Sequence, residues 1–374
     1  MGIDAIFNAH NWSVVPFHFW SLCFFALGCI VGSFLNVCIY RMPLGLSVVS
    51  PPSHCPHCKY AIPFYLNIPL VTWLALKGRC KNCGAEISAR YFVVELLTGI
   101  AFLGCWFKFG DANHPLPSLV LALVYAIFLA GLICATFIDF EHFIIPDEIT
   151  FGGIAVGVAA SLLLPQLHDT TSIGVGIWRS FLGAAFGAGI VYAILRLGKL
   201  LFGRQKIKLP PESKVVFLET SLHLPDREIS YDEIFYRKSD AVILQARTLE
   251  LVDRGYKDVG VRLSPSSLEI GGEKINPDDA PFLEAECAEI ILPREAMGLG
   301  DVKFMGAIGA FIGWQGALFS LMVSSLIGAA AGVILILMRK RAWSSRMPYG
   351  PYIAVAAVLW IFGGEKFFHW LFPM

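Results

Sequence analysis

The sequence predicts an all-α polytopic membrane protein of about eight transmembrane helices, with a small cysteine-bearing cytoplasmic domain and a strand-rich cytoplasmic insert. Three observations carry that prediction. Of 374 residues, 56% are apolar and only 16% charged, against roughly 45–50% and about 25% in soluble domains; mean hydropathy is +0.64. Runs of about 20 apolar residues, the length that crosses a bilayer, recur along the chain. Two stretches interrupt the pattern, one rich in cysteine and one dense in charge. The formal net charge is +0, so no global field points to a nucleic-acid partner. Residues 1–19 contain no Lys or Arg, so the positive n-region of a cleavable signal peptide is missing.

The clearest spans are 19-FWSLCFFALGCIVGSFLNVCIY-40, 119-LVLALVYAIFLAGLICATFI-138 and 316-GALFSLMVSSLIGAAAGVILILM-338. Weaker ones lie near 92–109, 150–164, 176–198, 302–314 and 351–372. Arg41, Lys59, Lys77, Arg79, Lys81 and Arg90 follow the first span, and Arg339, Lys340, Arg341 and Arg346 follow the seventh. The loops on the other side carry only Lys108. Positive charge marks the cytoplasmic side, which puts the N-terminus outside and 41–91, 199–300 and 339–347 inside. The resulting division is a first segment and span (1–41), a cysteine domain (42–91), helices carrying Asp139 (92–202), a soluble insert (203–293) and helices carrying Asp301 (294–374). Small residues four apart, as at Gly183 and Gly187 or Gly309 and Gly313, suit close helix packing, although glycine is common in membrane helices anyway.

The cysteine domain holds 55-CPHC-58 and 80-CKNC-83, separated by 21 residues. This is close to zinc-ribbon spacing. Cys55, Cys58, Cys80 and Cys83 would complete a tetrahedral Zn²⁺ shell with no open position, a structural rather than catalytic site. Reduced cytoplasmic thiols favour metal over disulfides; free or redox-active thiols are the alternative. His54 and His57 read as surface residues. The other cysteines show no pairing pattern and read as small apolar core residues.

The insert alternates apolar and polar residues in short runs, 214-KVVFLE-219, 241-AVILQAR-247, 258-DVGVRL-263 and 267-SLEIGGEKI-275, separated by turn signals. Strands are expected. No ligand motif stands out in it.

Few acidic residues remain near the membrane: Glu95, Asp139, Glu141, Asp147, Glu148 and Asp301. Ionisable residues at a span are costly and are functional candidates. Asp139 ends the third span and Asp301 begins the sixth, so both fall at the cytoplasmic edge of the bilayer. Two facing carboxylates are what aspartic proteolysis requires, one taking a proton from water and the other giving one to the peptide carbonyl. A plain helix cap is the competing reading. It suits Asp147, which follows Pro146, and is open for Asp301. It suits Asp139 poorly, because a helix C-terminus disfavours a carboxylate. The same dipole argument makes Asp301 the base and Asp139 the acid.

At this point the residues resemble a known family, the bacterial type 4 prepilin peptidases, which are leader peptidase/N-methyltransferases within the Gly-x-Gly-Asp intramembrane aspartic proteases. The segments 32-GSFLNVCIYRMP-43, the whole cysteine stretch 55–99, 138-IDFEHFIIPD-147 and 298-GLGD-301 are similar to the family's motifs and stand in its order. The resemblance implies that Asp139 and Asp301 are catalytic, with Gly298 and Gly300 forming the active-site turn and giving clearance beside the carboxylate. It implies cleavage of prepilin or pseudopilin substrates after the leader's glycine at the cytoplasmic face of the bacterial inner membrane. It further implies N-methylation of the new terminus with S-adenosylmethionine, and partners in pilus (type IV) or type II secretion assembly. No methyl-donor fingerprint is visible, so the donor-binding residues stay unassigned. The insert departs from the family's short connection. Alternatives are a peptidase without methylation, a cation or proton transporter using the aspartate pair, and a scaffold with a zinc-ribbon docking module.

Overall fold

The computed structural model describes residues 16–111, 115–210, 213–235, 240–251, 254–277, 280, 282–293, 298–338 and 347–371. The arginine-rich segment 339–346, used for the orientation, and residues 1–15, used for the signal-peptide argument, lie outside these. Two compact units form: one comprises residues to Val191 and from Leu299 onward, the other Tyr192–Gly298.

The first unit is helical. Its elements are α1 (Phe17–Arg41), the short α2 (Val71–Ala75), α3 (Ala89–Phe109), α4 (Pro115–His142), α5 (Asp147–Leu163), α6 (Ile173–Phe202, whose last turns belong to the other unit), α8 (Leu299–Leu337), α9 (Gly350–Leu359) and α10 (Glu365–Leu371). Among the described residues, five of these helices are long and apolar enough to cross a membrane: α1, α3, α4, α6 and α8. They carry apolar side chains outward, among them Leu22, Trp178, Leu326 and Leu337. Such a surface would be an aggregation liability in water and is matched by lipid.

The spans expected at 302–314 and 316–338 are the two arms of α8, which meet in a break at Gly313 (φ 72°, ψ 179°). That conformation is open to glycine and strained for other residues. The carbonyl of Ala310, just before the break, accepts from Ser180 Oγ at 2.8 Å. The last expected span is likewise interrupted, with a π-helical turn over Trp360–Gly364 between α9 and α10. Close glycine contacts hold α8 in place: a Cβ at Gly183 would collide with the Gly309 carbonyl, and one at Gly157 would lie 2.9 Å from Ala310 Cβ. The first arm of α8, which begins with Asp301, is thus packed against α5 and α6.

The second unit is a strand-rich domain, as the alternating runs predict. Its strands are β1 (Arg204–Lys208), β2 (Lys214–Phe217), β3 (Ser221–Leu224), β4 (Arg227–Ser230), β5 (Val242–Leu251), β6 (Gly255–Ser264), β7 (Ser267–Ile270), β8 (Glu273–Ile275), β9 (Leu283–Glu286) and β10 (Glu289–Pro293), with a single helical turn, α7 (Tyr231–Ile234). The strands run antiparallel in the order β4-β3-β2-β9-β5-β6-β7-β8, and β10 joins β1 to β5. The long β5 takes β9 along one half and β10 along the other. Its alternate residues Val242, Leu244 and Ala246 enter a core with Val215, Leu222, Leu249 and Val261, as the two-residue period of a strand requires.

Candidate active site

The cysteine module is built from two matching turns. Cys55 N–H donates to Tyr60 O and Lys59 N–H returns to Cys55 O; Cys80 N–H donates to Ala85 O and Gly84 N–H returns to Cys80 O. Lys59 and Gly84 both occupy the left-handed region, at φ 58° and 71°, and so close each turn at the same place. The result brings all four Sγ atoms within 4.8 Å of one another. Cys55 and Cys83 are 3.8 Å apart, and Cys58 and Cys80 4.0 Å. A tetrahedron with Zn–S bonds of about 2.3 Å has edges of about 3.8 Å, so the thiols fit that ion. The amide of Asn82 donates to Cys58 Sγ and, with a backbone hydrogen bond at Tyr60, holds that thiol down at about 6. That lowering favours the thiolate, the metal-binding form. His57 is exposed and His54 half-buried, so neither is drawn into the cluster.

The aspartates sit in the other part of this unit. Asp139 lies one turn from the end of α4, where Phe143, at φ 56°, donates back to Asp139 O and stops the helix. The Asp139 side chain is 6% exposed, and its Oδ2 accepts the Gly350 N–H at 2.9 Å. A Cβ added at Gly350 would stand 2.8 Å from that oxygen and 3.1 Å from Ile145 Cδ1. Ile145 also backs onto Gly300, whose missing Cβ would lie 3.4 Å from Ile145 Cβ. Ile145 therefore touches both the Asp139 pocket and the turn that carries Asp301. Asp301 is half-buried in the first turn of α8. Gly298 is exposed just before that helix. What Gly300 admits closely is Ile145 of the same chain.

Asp147 does not cap its helix. Pro146 holds the N-cap position, with no side-chain cap bond, and Asp147 is the first helical residue. Its carboxylate instead pairs with Lys303, two residues beyond Asp301. Lys303 also stacks over Phe151. The cap signature misled because proline pre-sets the backbone one residue earlier. Nearby, Arg90 pairs with Glu141, tying the start of α3 to the end of α4.

Gly350 and Tyr349 were not singled out in the sequence. Tyr349 Oη bonds Ser324 Oγ at 2.9 Å and Ser325 Oγ at 3.0 Å, which fixes the turn whose next residue holds Asp139. The available signal was 349-YGP-351 at a span's entrance, but Asp139 lies 211 residues away. No periodicity or spacing rule links positions that far apart.

The family model described as Bacterial Peptidase A24 N-terminal domain matches residues 26–109, and that of the Type IV leader peptidase family matches 126–209 and 281–333. The gap between the last two falls within the β domain. The chain is similar to a "Prepilin leader peptidase/N-methyltransferase" of Myxococcus xanthus, 40% identical over 48% of this chain and 56% of that protein. Proteins of the same name from Aeromonas hydrophila (27% identical, 95% and 94% covered) and Pseudomonas aeruginosa (26%, 91% and 90%) align almost end to end. No solved structure gives a significant match. On these matches, the chain belongs to the type IV leader peptidase family.

Proposed function

We propose that this protein is an intramembrane aspartic endopeptidase that removes the basic leader of prepilin-like proteins and then N-methylates the new terminus. The observation that carries the reading is the buried Asp139 carboxylate, held by Gly350 N–H and separated from the Asp301 turn by one shared neighbour, Ile145. The Gly350 bond engages Oδ2, so Oδ1 is the oxygen left to carry a proton. Asp301, in a first helical turn where the dipole favours negative charge, is the base that takes a proton from water. Asp139 is the acid that protonates the peptide carbonyl. Gly298 and Gly300 shape the approach to Asp301.

Eight spans follow if the two arms of α8, α5 and the α9–α10 segment each count as one. In this topology the N-terminus is outside, and residues 42–91 and 203–293 are cytoplasmic, as are both aspartates. A basic leader then stays inside while the apolar helix of the substrate lies in the bilayer. Cys55, Cys58, Cys80 and Cys83 hold Zn²⁺, which supplies a cross-link between two turns. S-adenosylmethionine is the methyl donor, and pilus or secretion assembly components are the partners. Membership of a peptidase family supports hydrolysis over ion transport. The test is product mass: purified protein, a prepilin-like substrate and S-adenosylmethionine should give a cleaved chain bearing one methyl group. Cleavage without methyl would leave a peptidase alone; uncut substrate would overturn the reading.

A further inference from the structure

A second buried polar cluster lies between α1 and α3. At one end of their interface the helices are in backbone contact, since a Cβ at Gly32 would stand 2.7 Å from Glu95 Cα. One turn further along α1, Asn36 is 1% exposed. Its amide Nδ2 donates to Tyr91 O at 3.1 Å and to Gly32 O at 3.3 Å. Its Oδ1 has no partner among the described residues. Glu95, 8% exposed, faces the same helix, with the Ser33 hydroxyl near its carboxylate. A buried acceptor without a donor costs about 1–3 kcal/mol, and a buried carboxylate is costlier still. Packing alone does not account for both in one interface.

The third member of the cluster is Leu70. Its backbone N–H donates to Glu95 Oε2 at 2.7 Å, and to do so it adopts φ 62°, ψ −51°. For a branched residue this is strained, of order 1–3 kcal/mol. The preceding segment exposes Phe64, Tyr65 and Ile68 and so gains little from burial where it lies. The cluster therefore has three acceptor-bearing side chains, and its one backbone N–H donor is delivered by a strained, lightly held strap.

We propose that Ser33, Asn36 and Glu95 bind the free α-amino terminus of the cleaved substrate, with the Leu70 N–H standing where an amine N–H will lie. An ammonium supplies up to three donors, enough to meet Glu95, Asn36 Oδ1 and the Ser33 oxygen. The proposal rests on the methyl-transfer half of the function above and gives it a place for the methyl acceptor. In the transfer, Glu95 first takes one proton from the ammonium, and the freed nitrogen lone pair forms the N–CH₃ bond as the sulfonium C–S bond of the donor breaks. The bonding pair stays on sulfur. Arg90, on the same helix as Glu95, pairs with Glu141, two residues beyond Asp139, so this helix is tied to the end of α4.

The test compares two pre-cleaved pilin-like peptides, one with a free N-terminus and one N-acetylated, binding to the full chain in detergent. Wild type should bind the free amine at least tenfold more tightly. Glu95→Gln should erase that preference while keeping its affinity for the acetylated peptide, and Asn36→Ala should reduce the preference several-fold. Equal binding of both peptides by wild type would overturn the proposal. So would a preference that survives both substitutions, or a loss of affinity for both peptides together, which marks a merely structural role. Should Glu95→Gln fail to fold, Asn36→Ala decides alone. Wild type that prefers the free amine but transfers no methyl group would sink the methyltransferase reading and leave the amine site standing. Wild type that methylates without such a preference would do the reverse.

Discussion

The cysteine module and the aspartate site are two functional centres in one helical unit, built in opposite ways. The module is local: two turns of the same design, each closed by its own backbone bonds, bring four thiols together across 29 residues, Cys55 to Cys83. The aspartate site is assembled from three distant pieces: the end of α4 with the turn at Ile145, the start of α8 and the entrance to α9. A local centre fails through its ligands, whereas a distributed centre fails through the packing that places its parts. The two should therefore break independently.

The largest effect expected is at the module. A Cys55→Ser, Cys58→Ser double change leaves two thiolates. Since structural zinc contributes on the order of 10–16 kcal/mol to the folding of small zinc modules, bound zinc should fall from one per chain to none. Metal analysis of purified protein, with limited proteolysis of residues 42–88, checks this. Zinc retained by the double variant would break the comparison on the local side.

On the distributed side, Gly350→Ala places a methyl group 2.8 Å from the Asp139 oxygen. An error of this size in a catalytic group costs about 100-fold in rate, and zinc should remain bound. Gly131→Ala is the control, because a Cβ there meets nothing within 4 Å; it should cleave at the wild-type rate. A milder cut is Tyr349→Phe, which removes the hydroxyl between Ser324 and Ser325. A hydrogen bond of this kind is worth about 1 kcal/mol, so cleavage should slow about fivefold with the fold intact.

The smallest effect belongs to Asp147→Asn. Its carboxylate is 61% exposed in the pair with Lys303, and exposed pairs contribute about 0–1 kcal/mol. Cleavage within twofold of wild type is expected in a kinetic assay. A large loss would move Asp147 from support into the chemistry.

This contrast also explains what the sequence makes legible. The paired C-x₂-C turns announce Cys55, Cys58, Cys80 and Cys83, because their geometry is fixed within a few residues of each ligand. The strands of the insert are likewise readable from alternation, as at Val242, Leu244 and Ala246. Asp139 and Asp301 stand out through cost, as carboxylates at the edges of apolar runs. Gly350 does not stand out, since its only distinguishing property is a contact made 211 residues away. The boundary expected between the spans 302–314 and 316–338 falls close to Gly313, where α8 is broken. Glu95 was visible as a membrane carboxylate, but its partner Leu70 lies in a loop whose strain no pattern reveals.

We propose that Asp139 and Asp301 form one acid–base site rather than two separate helix-end carboxylates. The measurement that tests it most directly is the rate of leader cleavage by Asp139→Asn and Asp301→Asn, with thermal unfolding in detergent as the control for folding. Asparagine keeps the shape, can still accept the Gly350 N–H and can still cap a helix, but it cannot exchange a proton. Each variant should stay folded and lose at least about 100-fold in rate, since positioned acid–base groups contribute about 10²–10⁴. Cleavage at the wild-type rate by either folded variant would contradict the proposal.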